Sequence, residues 1–553
     1  MSFLRRNRHA ILVPLVLAVT TAGFGWKLLF TGLVVIGYDT MTYMYPYRVF
    51  AAEALRDGRV PLWNPWIFFG VPFLANLQSA VFYPLHVLFL VLPGPFAMNA
   101  SVVIHFFLAA WFAALAARGI ARLDWWSAGV AGLLYGFSGF VGAQVGHLNQ
   151  LNAAAWLPLA ALTIHRALEA HAIRWAVATG VILAVQLLAG HAQETYMTVV
   201  AVGAYVAFHV AVAAWTLALP GRAPHGDRLG AWARSLNDNV PAVVPRLTDA
   251  GFRGGSALRW RAWWRHAVWS GALLALAGAL AGGIAAIQAL PTTELTAVSI
   301  RAGGMSFGEA ISFSLPPREL FVGLLPTFGL ASPTSNEFLG WIGFSGATLV
   351  LAGITFRARQ PAILFFAILS LVALLLALGN HTPIYGSIFR LPGMNLFRVP
   401  ARWLFLATFG GAIVGGAGFS FLRAPSPIPA ANAVAPRPWF RLVAASRLML
   451  AVAVVTGAAT LIWPLQHVRA EPAAEPLVPV FARLYEACME RGLPIGCAPN
   501  IHVSLVLLPE ECATLTSRRY PVQRAKLAAI KSGLGWYLHR RFRQADRRAH
   551  APA

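Results

Sequence analysis

The segment Ala267–Leu290, AVWSGALLALAGALAGGIAAIQAL, decides the class of the molecule. It carries no charged residue, and at 1.5 Å per residue a helix of this length covers about 36 Å, enough to cross about 30 Å of hydrocarbon. Runs of the same kind recur along the chain. They predict about eleven spanning helices: 10–36, 97–117, 127–145, 151–168, 174–190, 195–217, 267–290, 341–356, 361–380, 403–422 and 447–465. The composition agrees. Of 553 residues, 58% are hydrophobic and only 11% charged, against about 25% charged in ordinary soluble domains. Nineteen Trp and 35 Phe suit interfacial belts and lipid-facing surfaces. The expected fold is an all-α polytopic membrane protein, with 1–465 as the transmembrane domain and 466–553 as a short basic tail. Val81–Leu92 is apolar but too short to cross, and reads as an interfacial or re-entrant piece.

The net charge of +23 has no zinc-finger spacing or basic soluble module beside it, which argues against nucleic acid as a partner. In a membrane chain such an excess belongs to cytoplasmic loops that meet anionic lipid headgroups. Eight arginines fall between Leu219 and His266, a loop interrupted by Pro and Gly. Placing the N-terminus in the cytoplasm puts this basic loop 219–266 inside, and leaves 37–96, 291–340 and 381–402 as the substantial outside loops. Met1–Val35 has a basic start and an apolar run too long for a signal peptide, so a retained first helix is expected. Cys488, Cys497 and Cys512 all lie in the tail, with no metal-ligand spacing. The tail itself is Arg-rich and has no spanning run; Arg518–Arg548 reads as a basic amphipathic helix on anionic lipid.

The outside loops hold most of the chemistry. The first reads GYDTMTYMYPYRVF (37–50), PLWNP (61–65) and ANLQSAVFYP (75–84), with Asp39 directly after the first helix. Two short turns face the same way, GHLNQ (146–150) and GHAQE (190–194), and so does NLFRVPARW (395–403). Together these motifs resemble the bacterial YfhO-type membrane proteins, placed with the GT-C glycosyltransferases. The resemblance covers roughly Gly37 to Leu422. It implies a GT-C-like helical bundle in the bacterial cytoplasmic membrane, fed by a polyprenyl-phosphate sugar and working on the extracytoplasmic side. The acceptor would be an envelope polymer, a glycolipid or a protein. Asp39 matches the family's acidic base in the first outside loop. The tail departs from the larger outside domain and final helix the resemblance implies.

A base acting on a hydroxyl must reach it at hydrogen-bond distance. Arginine suits the departing phosphate, because its planar fork binds phosphate oxygens bidentately and stays charged. Arg398 and Arg402 therefore stand as phosphate candidates, with Arg301 a weaker one. His191, Glu194, His147, Trp63 and Asn64 are candidates for the sugar and its surroundings. Each also has a plainer reading: Asp39 as a helix cap, the arginines as headgroup anchors, His191 and Glu194 as an interhelical pair, His147 as a polar turn, and Trp63 with Asn64 as interface anchor and turn. No carboxylate cluster or DxD pair supports a metal site, and no cofactor is expected. No P-loop, dinucleotide-binding glycine fingerprint or HExxH is present. Two rivals remain at this level: a transporter or flippase for a lipid-linked saccharide, and a non-enzymatic assembly protein.

Overall fold

A computed structural model of the chain describes residues 2–35, 39–67, 69–218, 256–322, 335–340, 342–358 and 360–423. The tail and the expected crossing at 447–465 lie outside these residues. In chain order come α1 (Ser2–Phe24), α2 (Trp26–Phe30), a π-helical turn Thr40–Met44, α3 (Tyr45–Arg56), a two-residue ribbon of β1 (Trp63–Asn64) and β2 (Val71–Pro72), and α4 (Val87–Val91). There follow α5 (Gly94–Gly119), α6 (Trp125–Gly136), α7 (Gly139–Ala143), α8 (Leu148–Ala154), α9 (Leu157–Ala170), α10 (Ile173–Leu188) and α11 (Ala192–Ala218). The remainder comprises α12 (Ser256–Ala297), α13 (Phe307–Ala310), α14 (Pro317–Val322), α15 (Gly343–Arg357), α16 (Pro361–Ala377), α17 (Pro383–Ile388) and α18 (Leu404–Arg423). The ribbon is antiparallel, pairing Trp63 with Pro72 and Asn64 with Val71.

The protein is thus all-α and multi-pass. Among the described residues, six helical stretches are long and apolar enough to cross a membrane: 94–119, 125–146, 192–215, 260–297, 336–357 and 400–423. Three shorter apolar helices, 8–24, 173–188 and 361–377, lie among them. Several expected crossings are broken where polar residues collect. The one at 127–145 ends as α6, α7 and a 3-10 turn, and the one at 151–168 divides into α8 and α9. Val81–Leu92 forms a 3-10 turn and the five-residue α4, the short piece its length allows.

In lipid, helix association rests on close packing of small residues more than on apolar burial. On α6, a Cβ added at Gly136 would sit 2.6 Å from the Ala110 Cβ of α5, so the four-residue spacing Gly132–Gly136 lets these two helices touch backbone to backbone. The glycine-rich α18 is the most enclosed: 78% of its apolar window is buried, against 22% for α12. α18 is a central post and α12 a peripheral one. α12 is also too long for its task, since 42 residues make about 63 Å.

Candidate functional site

The first loop is locked onto the bundle by a buried cation. Arg48 on α3 is 1% exposed and donates to the Ser79 carbonyl at 2.5 Å, the Gln78 carbonyl at 3.3 Å and the Asn149 side-chain oxygen. Asn149 passes its amide to the Gln78 carbonyl at 2.9 Å and the Gly190 carbonyl at 3.3 Å. Gly190 sits at φ 96°, where a side chain is disfavoured, and a Cβ there would press on Ala80 and Asn149. Four segments far apart in sequence are joined here: α3, the 77–79 turn, α8 and the turn before α11. Gln288 of α12 closes the same corner, donating to the Ser79 hydroxyl at 3.0 Å.

Asp39 directly precedes the π-helical turn, and its side chain makes no capping hydrogen bond to it. Its Oδ2 lies 3.1 Å from His147 Nε2, and its side chain is 48% exposed. Thr40 fixes the approach by donating to the Gly146 carbonyl at 3.3 Å. The hydrogen bond from His147, followed by that ring's charge, holds the Asp39 carboxyl below its ordinary pKa of 3.8 against the opposing effect of burial. His147 Nδ1 faces the Gln144 Oε1 at 3.1 Å. Both neighbours of the ring are acceptors, so it donates in both directions when protonated.

Gln150 carries the network inward. With its amide oriented to satisfy its neighbours, the nitrogen donates to Gln144 Oε1 at 3.0 Å and to Glu194 Oε1 at 3.3 Å, and the oxygen accepts from Arg402 at 3.0 Å. Glu194, fully buried, pairs with His191 one turn earlier on the chain. Arg402 is 14% exposed and forks Glu337, with contacts of 3.1 Å, 3.2 Å and 2.5 Å, while a third nitrogen donates to Gln193 Oε1 at 2.9 Å. Gln193 in turn donates to the Arg398 carbonyl at 2.9 Å. Between Arg398 and Pro400, Val399 adopts φ 67°, a strained conformation for a β-branched residue. A positive φ held by surrounding contacts is the kind of strain that collects at working sites.

The structure therefore joins Asp39, His147, His191, Glu194 and Arg402 in one continuous network, with the backbone of Arg398 attached and its side chain exposed. It gives Arg402 other duties than those expected of a phosphate ligand. Of the five guanidinium N–H groups, four are engaged by Glu337, Gln193 and Gln150, so no free fork remains. Trp63 and Asn64 belong to the ribbon instead. Asn64 is buried and accepts from the Trp66 N–H at 3.0 Å, while Trp63 is 54% exposed and lies against Gly70. Arg301 is exposed in the turn after α12. Sequence reasoning missed Glu337, Gln144, Gln193 and Arg48. Three carboxylates, Asp39, Glu194 and Glu337, reach the network. Among the described residues, however, no group of three His, Cys, Asp or Glu is arranged to hold a metal ion.

No family model and no curated protein matches the chain, so the YfhO-type resemblance rests on the quoted motifs. Among solved structures, the chain is similar to an arabinofuranosyltransferase, AftD, from Mycobacteria, with a TM-score of 0.41 and 16% identity over 88% of this chain and 30% of that one. It is equally similar to the archaeal oligosaccharyltransferase AglB from Archaeoglobus fulgidus, solved with an inhibitory peptide and a dolichol-phosphate. There the TM-score is 0.41 and the identity 16%, over 92% of this chain and 61% of that one. The chain spans less than two thirds of the length of either.

Proposed function

We propose that this protein is a GT-C-type membrane glycosyltransferase that moves a sugar from a polyprenyl-phosphate donor to an envelope acceptor on the extracytoplasmic side. The observation that carries the reading is the Asp39–His147 pair: a half-exposed carboxylate, kept ionised by a hydrogen-bonded imidazole, at one end of an apolar helical bundle. It falls within the motif run that resembles the family. A donor with a lipid tail leaves its phosphate at headgroup level, where such a carboxylate meets an incoming hydroxyl.

In this mechanism Asp39 accepts the proton of the acceptor hydroxyl as its oxygen attacks the anomeric carbon. The bond from that carbon to the phosphate oxygen breaks, and the electron pair leaves with the polyprenyl phosphate. A single displacement of this kind inverts the anomeric centre. His147 orients Asp39 and, by favouring the carboxylate, keeps it ready to accept a proton. Arg398, exposed next to strained Val399, is the cation free to meet the departing phosphate. Arg402 acts indirectly, holding α11, α8 and the 336–338 turn in register through Gln193, Gln150 and Glu337. His191 and Glu194 pair with each other and join the site through Gln150.

The test uses membrane vesicles carrying the full chain and a radiolabelled polyprenyl-phosphate sugar. Asp39→Asn is expected to lower label entering a non-lipid product by about 10²- to 10⁴-fold, the range of a lost general base, at unchanged membrane levels. Transfer retained by Asp39→Asn would sink the assignment of the base. Label that crosses the bilayer unaltered would favour a flippase instead.

A further inference from the structure

The peripheral helix α12 carries a second feature at the end of the bundle away from Asp39. α11 sets the scale. Gln193 at its start touches Arg402 of the site, and Trp215 lies about 33 Å further along the helix, close to the 30 Å thickness of a hydrocarbon core. α12 runs beside it. Its Trp263 Nε1 donates to the Val210 carbonyl at 3.1 Å, and His266 Nε2 lies 3.3 Å from His209 Nδ1. This seam turns the other faces of α12 outward. Trp260 and Trp264, one turn apart, are 58% and 59% exposed, and Trp215 on α11 is 49% exposed. Arg261 and Arg265 form a parallel exposed stripe beside them.

From Ser256 to Thr293 the sequence of α12 contains no acidic residue, so this stripe has no anion of its own helix to answer it. Among the described residues neither guanidinium takes part in an ion pair. Indole rings settle at headgroup depth and arginines reach for phosphate oxygens. The two stripes place both requirements side by side, one hydrocarbon thickness from the candidate site.

We infer that the Trp260–Arg265 face of α12 binds the headgroup of an anionic phospholipid in the leaflet opposite the Asp39 site. The two arginines clamp the phosphate, and Trp260 and Trp264 seat the glycerol backbone and upper acyl chains. The inference needs the chain to span a membrane but does not need it to transfer sugar, so a failed transfer assay leaves it standing.

The experiment is native mass spectrometry of the detergent-solubilised full chain, titrated with short-chain phosphatidylglycerol and, separately, phosphatidylcholine. Wild type is expected to prefer phosphatidylglycerol. Arg261→Gln/Arg265→Gln is expected to weaken that binding about thirtyfold, and either single substitution about fivefold, following the usual contribution of a basic residue near an anionic surface. Arg261→Lys/Arg265→Lys is expected to stay within a few-fold of wild type. Equal binding of the two lipids by wild type, or undiminished binding by the glutamine pair, would overturn the inference. So would an equal loss in Arg174→Gln, which removes a cation from the start of neighbouring α10 and would reveal only a diffuse charge effect. If the glutamine pair unfolds, Trp260→Leu/Trp264→Leu gives the second arm: weaker phosphatidylglycerol binding is expected, and unchanged binding overturns the assignment.

Discussion

The two ends of the bundle use similar residues under different conditions. Around Asp39, charged and amide side chains are buried and cross-linked between segments 65 to 209 residues apart, as in Glu337 to Arg402 and Gln193 to Arg402. At the opposite end two arginines make their ion pairs at the surface: Arg122, 55% exposed, with Glu169 at 3.2 Å, and Arg423, 44% exposed, with Asp124 at 3.0 Å. Burial makes a polar contact costly to leave unmade, so the first end holds one geometry. Exposure lets water and headgroups substitute for either partner, so the second end contributes a surface instead. The same contrast separates a site from a mooring.

The strongest way to break this comparison is Glu337→Gln. It leaves the Arg402 guanidinium nearly buried without its counter-charge, and a loss of about 3–5 kcal/mol is expected, the usual result of removing one partner of a buried pair. Replacing both residues with apolar ones of similar size is expected to recover most of that loss. Thermal unfolding of the purified protein in detergent measures both. If the single and double variants melt together at the wild-type temperature, the network is no more than decoration.

A smaller effect comes from His147→Gln. The folded-state pKa of Asp39 lies below its ordinary 3.8. The pair therefore stabilises the fold fully above that value, and the contribution disappears as pH falls through the folded pKa. Without the imidazole the carboxyl returns toward its ordinary range. The acid limb of the pH–rate profile is then expected to move to higher pH, with transfer about tenfold slower, equivalent to about 1.4 kcal/mol of barrier. An unmoved acid limb would detach His147 from Asp39.

Much of the fold was legible in the sequence because hydropathy is a local property. Most expected crossings up to Leu422 fall on helix among the described residues, including the pieces into which α6–α7 and α8–α9 are divided, whereas helix in the first, 10–36, stops at Phe30. Asp39, His147, His191, Glu194 and Arg402 could be named because each stands in a short polar turn between apolar runs. Their partners could not be. Nothing in the spacing links Glu337 to Arg402 or Arg48 to Asn149, since both pairings are created by packing. That is why Arg402 read as a free phosphate fork when four of its five N–H groups are already engaged. Trp63 and Asn64 read as interface anchor and turn or as ligands, and the ribbon that holds their backbone pairs them with residues 71 and 72. The Trp–Arg face of α12 was visible only as charge in a basic loop, because the direction it faces depends on the seam with α11.

The smallest expected effect tests the open end, and it depends on backbone as much as on charge. Arg122 pairs with Glu169 but does so from φ 54°, a conformation that costs an ordinary residue about 1–2 kcal/mol and glycine very little. Arg122→Gln removes the exposed pair and keeps the strain, so a loss of no more than about 1 kcal/mol is expected. Glu169 retains His165 as a partner at 3.2 Å, which limits the loss further. Arg122→Gly removes the pair and the strain together, so its melting temperature should equal or exceed that of Arg122→Gln. Were both substitutions to cost as much as Glu337→Gln, the open end would have to be as tightly determined as the site, and exposure would no longer explain the difference between them.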